Sequence, residues 1–194
     1  MCSALLEHSF APEERGIRTE YLRSEVGFIR RSIKERLEGQ TAFLLRQKYT
    51  GLYAKGPDFG PKFEELFQDA IFDAEEAGKS LATDCYTACV FHLMRAMEVT
   101  LGILAQQIGA TIRNEHDEVL PWGILLSNIK GKIDKMPKGA TQDDWLRIHS
   151  LFHSVNRAFR TKTAHPGQKY TQTEAEDAMN AVCGYMREIA KLEL

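Results

Sequence analysis

Phe63-Glu-Glu-Leu66-Phe67-Gln-Asp-Ala70-Ile71-Phe-Asp-Ala74-Glu-Glu-Ala77-Gly-Lys-Ser-Leu81 is the stretch on which the fold class turns. Its apolar residues recur three and four positions apart, the period of a helix with one buried face. Thr83-Asp84 can break the run, with Asp84 placed to cap the next helix. Cys85, Ala88, Cys89, His92, Ala96, Val99 and Ile103 then continue at helical spacing, and the pattern fades at Gly109. Pro121-Trp122 opens a shorter helix with Ile124, Leu125, Ile129 and Ile133, closed by Pro137 and Gly139. Thr141 can cap a helix through Leu146, Ile148, Leu151, Phe152, Val155 and Phe159. Thr171-x-x-Glu174 has the form of a capping box before Ala175, Ala178, Met179, Val182, Met186 and Ile189. Nothing alternates with period two for long, so no strands are expected. Amphipathic helices on short links predict an all-α protein, an antiparallel helical bundle. The last two helices, Thr141–Arg160 and Gln172–Leu192, are expected to pack antiparallel, given their short link and matching apolar stripes.

Outward toward the N-terminus, Pro12-Glu13-Glu14 suits a helix start. Ile17, Tyr21, Val26, Ile29, Ile33 and Leu37 come next at roughly helical spacing, with Gly39 at the end. Gly51, Gly56, Pro57, Gly60 and Pro61 predict a loop and the boundary of the organisation. Residues 1–60 read as an additional N-terminal helical segment and loop, and residues 61–194 as the bundle domain.

The 194 residues suffice for one good core. The net charge of −2 hides an asymmetry: residues 15–48 carry nine Lys/Arg against four Asp/Glu. The basic charge is local, which argues against a general nucleic-acid coat. No run of about 18 apolar residues predicts a membrane span. Met1 to His8 lacks a basic start and a long apolar core, so no signal peptide is expected. Cys2, Cys85, Cys89 and Cys183 form no CxxC, so reduced thiols in a cytoplasmic location are expected.

Three motif-like features carry no chemistry. Gly78-Lys79-Ser80 lies within the helical pattern, and Asp73 stands where a phosphate-binding loop needs its first Gly. Cys85, Cys89 and His92 fall on one apolar helix face and read as a core stripe. His149 and His153 lie four apart, but Ser150 stands next to His149 where a zinc-protease helix needs Glu. No metal and no cofactor are expected.

Val155-Asn156-Arg157-Ala158-Phe159-Arg160-Thr161-Lys162-Thr163-Ala164-His165-Pro166 carries the chemistry. It reads as a helix running into a short loop, because Pro166 forbids simple continuation. From Trp145 to Thr173 there is no Asp or Glu, while Arg147, Arg157, Arg160, Lys162 and Lys169 supply five positive charges. An acid-free basic stretch favours a phosphate-bearing partner. The spacing Arg-x(4–6)-His occurs twice, as Arg147/His153 in mid-helix and as Arg160/His165 at the helix end. Side chains can converge at the second place. The competing role for Arg160 is a C-terminal helix cap.

Arg160-Thr-Lys-Thr-Ala-His165-Pro166, with Tyr170-Thr171 and a helix beyond them, resembles the signature of HEPN domains. Glu76–Ala82 and Ala88–Glu98 are similar to a bacterial branch of that family, so the resemblance covers about Phe63 to Leu192. It implies a helical bundle that dimerises. It also implies a metal-independent endoribonuclease of toxin–antitoxin or phage-defence systems, with Arg160 and His165 as catalytic residues. Asn156, Arg157, Thr161, Lys162 and Tyr170 are candidates for supporting or RNA-binding roles. Thr161 stands where active members commonly carry Asn, Asp or His, which favours the alternative of a catalytically inactive RNA- or protein-binding module. The implied partners are RNA, a second copy completing a composite site, and an antitoxin or defence protein. No membrane partner is implied.

Overall fold

The computed structural model describes residues 12–40, 43–163, 165 and 167–191. Ala164 and Pro166 therefore lie outside the described residues, as do residues 1–11. Of Thr161 the backbone alone is described. The chain divides into two compact units, residues 1–44 and 45–194. In the first, α1 runs Pro12–Leu37, and Gly39, at φ +78°, takes the left-handed conformation that ends it. Leu22, Val26, Ile29, Ile33 and Leu37 fall along one side of α1 and are exposed.

The second unit is the expected helical bundle. A 3-10 turn at Gln47–Tyr49 leads into α2 (Thr50–Lys55), then α3 (Pro61–Leu66), α4 (Gln68–Ala82) and α5 (Tyr86–Gln107). After these come α6 (Trp122–Ile133), α7 (Ala140–Val155), a π-helical turn at Asn156–Arg160, α8 (Thr161–Thr163) and α9 (Gln172–Lys191). No strand forms among the described residues; an isolated bridge pairs Arg113 with Val119.

At the centre lies α5, packed against α4, α6 and α9. It is long and apolar enough to cross a membrane by length and composition, yet more than half of it is buried in the bundle. Leu93, Met97, Leu101 and Leu104 are fully buried there. The link from α4 to α5 is so short that two helices in long contact must run antiparallel. Phe59, Phe63 and Phe67 adjoin in a row, edge to face and then tilted, with centroids 4.7 and 5.2 Å apart. Trp122 meets Phe152 at 5.8 Å and ties α6 to α7. Phe152 and Val182 share one core; α7 touches α9, but the main partner of α9 is α5.

Local expectations differ from the structure in four places. The long run from Phe63 is broken at Phe67, whose φ of −130° and ψ of 45° are not helical. Asp84 does not cap α5. It sits at φ +61° and its carboxylate accepts from the Tyr86 hydroxyl at 2.7 Å. Thr141 does not cap α7; the cap position is Gly139, without a side-chain bond. The glycine-rich segment expected as a loop holds α2, and residues from Leu45 onward belong to the bundle unit. Arg46, Lys48 and Tyr49 bind Gln172 and Glu176 at the start of α9. The same segment explains Gly78: a Cβ there would meet the Leu52 carbonyl at 2.7 Å. The glycine of Gly78-Lys79-Ser80 lets α2 lie against α4, and the tripeptide is helical throughout.

Candidate functional site

α7 does not end at its last regular turn. Its chain widens into the π turn of Asn156–Arg160 before resuming as α8. A π turn inside a helix frequently marks a functional position, because the extra residue re-aims the side chains after it. Here it carries Arg160 to α5, where Nη2 donates to Glu98 Oε1 at 3.2 Å. Both side chains stay about one-third exposed. Arg160 thus reaches a neighbouring helix.

Around Arg160 is a concavity of about 170 Å³ lined by Phe91, Met94, Arg95, Glu98, Arg160 and Thr163. His165 is not among the lining residues; it is exposed, in the turn beyond α8. The backbone of that turn is fixed by His165 N donating to Lys162 O at 3.2 Å and Gln168 N to His165 O at 3.0 Å.

Tyr170 is buried and works as a strut. Its hydroxyl lies 2.9 Å from Thr163 Oγ1 and donates to Phe159 O at 3.1 Å. Its backbone N–H donates to Thr87 Oγ1 on α5 at 3.1 Å. Lys162 is also committed: its ammonium lies over the Tyr170 ring at 4.8 Å and binds Glu174 at 2.7 Å. Glu174 closes the capping box, accepting from Thr171 N at 2.9 Å while its own N–H donates to Thr171 Oγ1 at 3.3 Å. The Lys162 ammonium, then the Thr171 donors, hold the Glu174 carboxyl down to about 2.

The acid-free stretch is therefore less cationic in space than in sequence. Asp144, Glu98 and Glu174, all outside the Trp145–Thr173 stretch, pair with Arg147, Arg160 and Lys162. Arg157 and Lys169 are exposed and have no ion partner among the described residues. Asn156 lies apart from the Arg160 concavity; it lines a groove of about 550 Å³ with His149 and His153. Burial, then His153, lowers the His149 pKa.

Sequence reasoning missed the α5 side of the site. Asp73 of α4 is 3% exposed; it binds His92 Nδ1 at 2.8 Å and Arg95 Nε at 3.0 Å. His92 is thereby a partner of Asp73. Cys85 is exposed rather than part of a core stripe. Cys89 is buried, and burial first, then Cys183, pushes its thiol up to about 12. No group of three or more metal-ligating side chains forms among the described residues. One signal was available: Arg95 and Glu98 are the two fully charged residue types in the 22 residues of α5. Charges inside so apolar a helix need a partner or a ligand.

Comparison with models of known families, with curated proteins and with solved structures gives no match.

Proposed function

We propose that this chain is a metal-independent endoribonuclease of the HEPN type, acting in the cytoplasm in a toxin–antitoxin or phage-defence setting. The observation that carries the reading is the placement of Arg160. A π turn delivers its guanidinium, still accessible, to a concavity, and an exposed imidazole stands five residues later at His165. The substrate 2′-OH attacks the adjacent phosphorus and loses its proton to a base. The P–O5′ bond breaks, and the departing oxygen takes a proton from an acid. The products are a 2′,3′-cyclic phosphate and a 5′-OH. Arg160 suits the phosphorane because its planar fork donates paired hydrogen bonds. His165 suits proton transfer, since an imidazole nitrogen can accept a proton and, once protonated, donate one. One imidazole cannot serve both oxygens at once. A two-fold dimer would bring a second Arg160 and His165 to the same phosphate.

The Glu98–Arg160 pair favours a second reading, a non-catalytic RNA- or protein-binding module, because it occupies the guanidinium. Incubation of purified protein with a mixed RNA pool in EDTA separates the two. Cleavage leaving 2′,3′-cyclic phosphate ends, lost in both Arg160→Ala and His165→Ala, is the expected result. RNA binding without cleavage would establish the module. Cleavage unchanged in His165→Ala, or dependent on added Mg²⁺, would overturn the mechanism. Mixed dimers of wild type with His165→Ala should be strongly impaired; full activity in a monomer would remove the composite site.

A further inference from the structure

The Arg160 concavity has an aromatic wall that the proposed chemistry does not use. Phe91 is 48% exposed on α5, although large aromatic side chains are usually covered. It sits one turn from Arg95 and two from Glu98, so all three share a stripe of the helix. Arg95 is fixed by the buried Asp73 carboxylate, which places its guanidinium carbon 6.0 Å from the Phe91 ring centroid. The Phe91 and His92 rings meet edge to face with their centroids 5.8 Å apart. The phenyl ring thus has neighbours on two sides and lines the concavity together with Arg160 and Thr163.

An open aromatic ring next to two guanidinium groups is the arrangement that seats an unpaired nucleotide: the ring stacks on the base and the cations meet its phosphates. We infer that Phe91, backed by Arg95, is the base-stacking seat for the nucleotide whose phosphate Arg160 binds, and that it selects a purine there. A purine presents the larger π-face, and modest preferences at such platforms come from stacking strength. The inference rests on RNA being the ligand of the Arg160 concavity. A base held within a duplex could not reach the ring, so the seat also requires the strand to be unpaired at that nucleotide.

The test uses full-length protein and fluorescein-labelled oligoadenylate and oligouridylate carrying 2′-O-methyl groups, which block attack and isolate binding. Wild type should bind the adenylate more tightly. Phe91→Leu keeps an apolar side chain but removes the π-face. It should weaken adenylate binding by about 10-fold and erase the difference between the two strands. Phe91→Trp should preserve both. Unchanged adenylate binding in Phe91→Leu, with its circular dichroism intact, would overturn the seat. So would conversion of a dimer to monomers by Phe91→Leu, which would show that the ring faces a second copy. Cleavage of the RNA pool with unaltered site preference in Phe91→Leu sinks the seat and leaves the ribonuclease standing. Stacking that depends on Phe91, with no cleavage by wild type, does the reverse.

Discussion

Asp73 and Glu98 each hold an arginine of this molecule, Asp73 from α4 across to Arg95 and Glu98 from α5 across to Arg160. The Asp73 side chain is almost wholly buried and has two partners, the second being His92. Glu98 stays about one-third exposed. A carboxylate taken out of water must keep its hydrogen bonds or cost several kcal/mol, so Asp73 is fixed together with whatever it holds. A pair one-third exposed on both sides is worth little, since water competes for both partners. Arg95, although its own side chain is 54% exposed, is anchored by a buried acceptor, whereas Arg160 can exchange its carboxylate for a phosphate oxygen. Two ion pairs of similar length on one helix thus serve different ends, and burial separates them.

The comparison can be broken by substitution. Asp73→Ala leaves His92 and Arg95 without their shared acceptor and should lower stability by about 2 kcal/mol. That corresponds to a melting temperature lower by roughly 6 °C. A melt within a degree of wild type would show that burial of Asp73 matters little. Tyr170→Phe removes a hydroxyl bonded to Thr163 and Phe159, and should cost about 1 kcal/mol in urea unfolding. An unchanged midpoint would mean that the strut is held by packing alone.

Glu98→Gln is expected to shift stability by less than about 1 kcal/mol. Its effect should appear in ligand affinity: oligoadenylate binding tightens roughly two- to five-fold as Arg160 is released, with the gain fading at high salt. Weaker binding would show that Glu98 positions Arg160 and does not compete for it.

The smallest effect concerns Glu174. Its carboxyl is held near 2 in the folded chain, below its ordinary 4.5. The stabilisation is therefore complete above pH 4.5 and is lost as the pH falls toward 2. Glu174→Gln should lower the melting temperature slightly at neutral pH, with the gap to wild type closing over that acidic window. A gap independent of pH would point to the capping geometry and not to the charge.

Sequence alone determined the helical class and most helix bounds. Apolar period and capping chemistry are local properties, and Thr171 and Glu174 form the reciprocal bonds that their spacing implies. The same locality marked Arg160 and His165, because a basic run and a break in helical pattern are visible without coordinates. Tertiary structure decided the rest. Gly78 looked like part of a phosphate motif until α2 was found against it. Lys162 and Tyr170 looked available to a ligand until Glu174, Thr163 and Phe159 took them up. Arg160 could not be assigned to Glu98, nor Arg95 to Asp73, because those partners lie 62 and 22 residues away along the chain. Charge and burial depend on what lies near in space, and no periodicity encodes which carboxylate a folded helix brings to a given arginine.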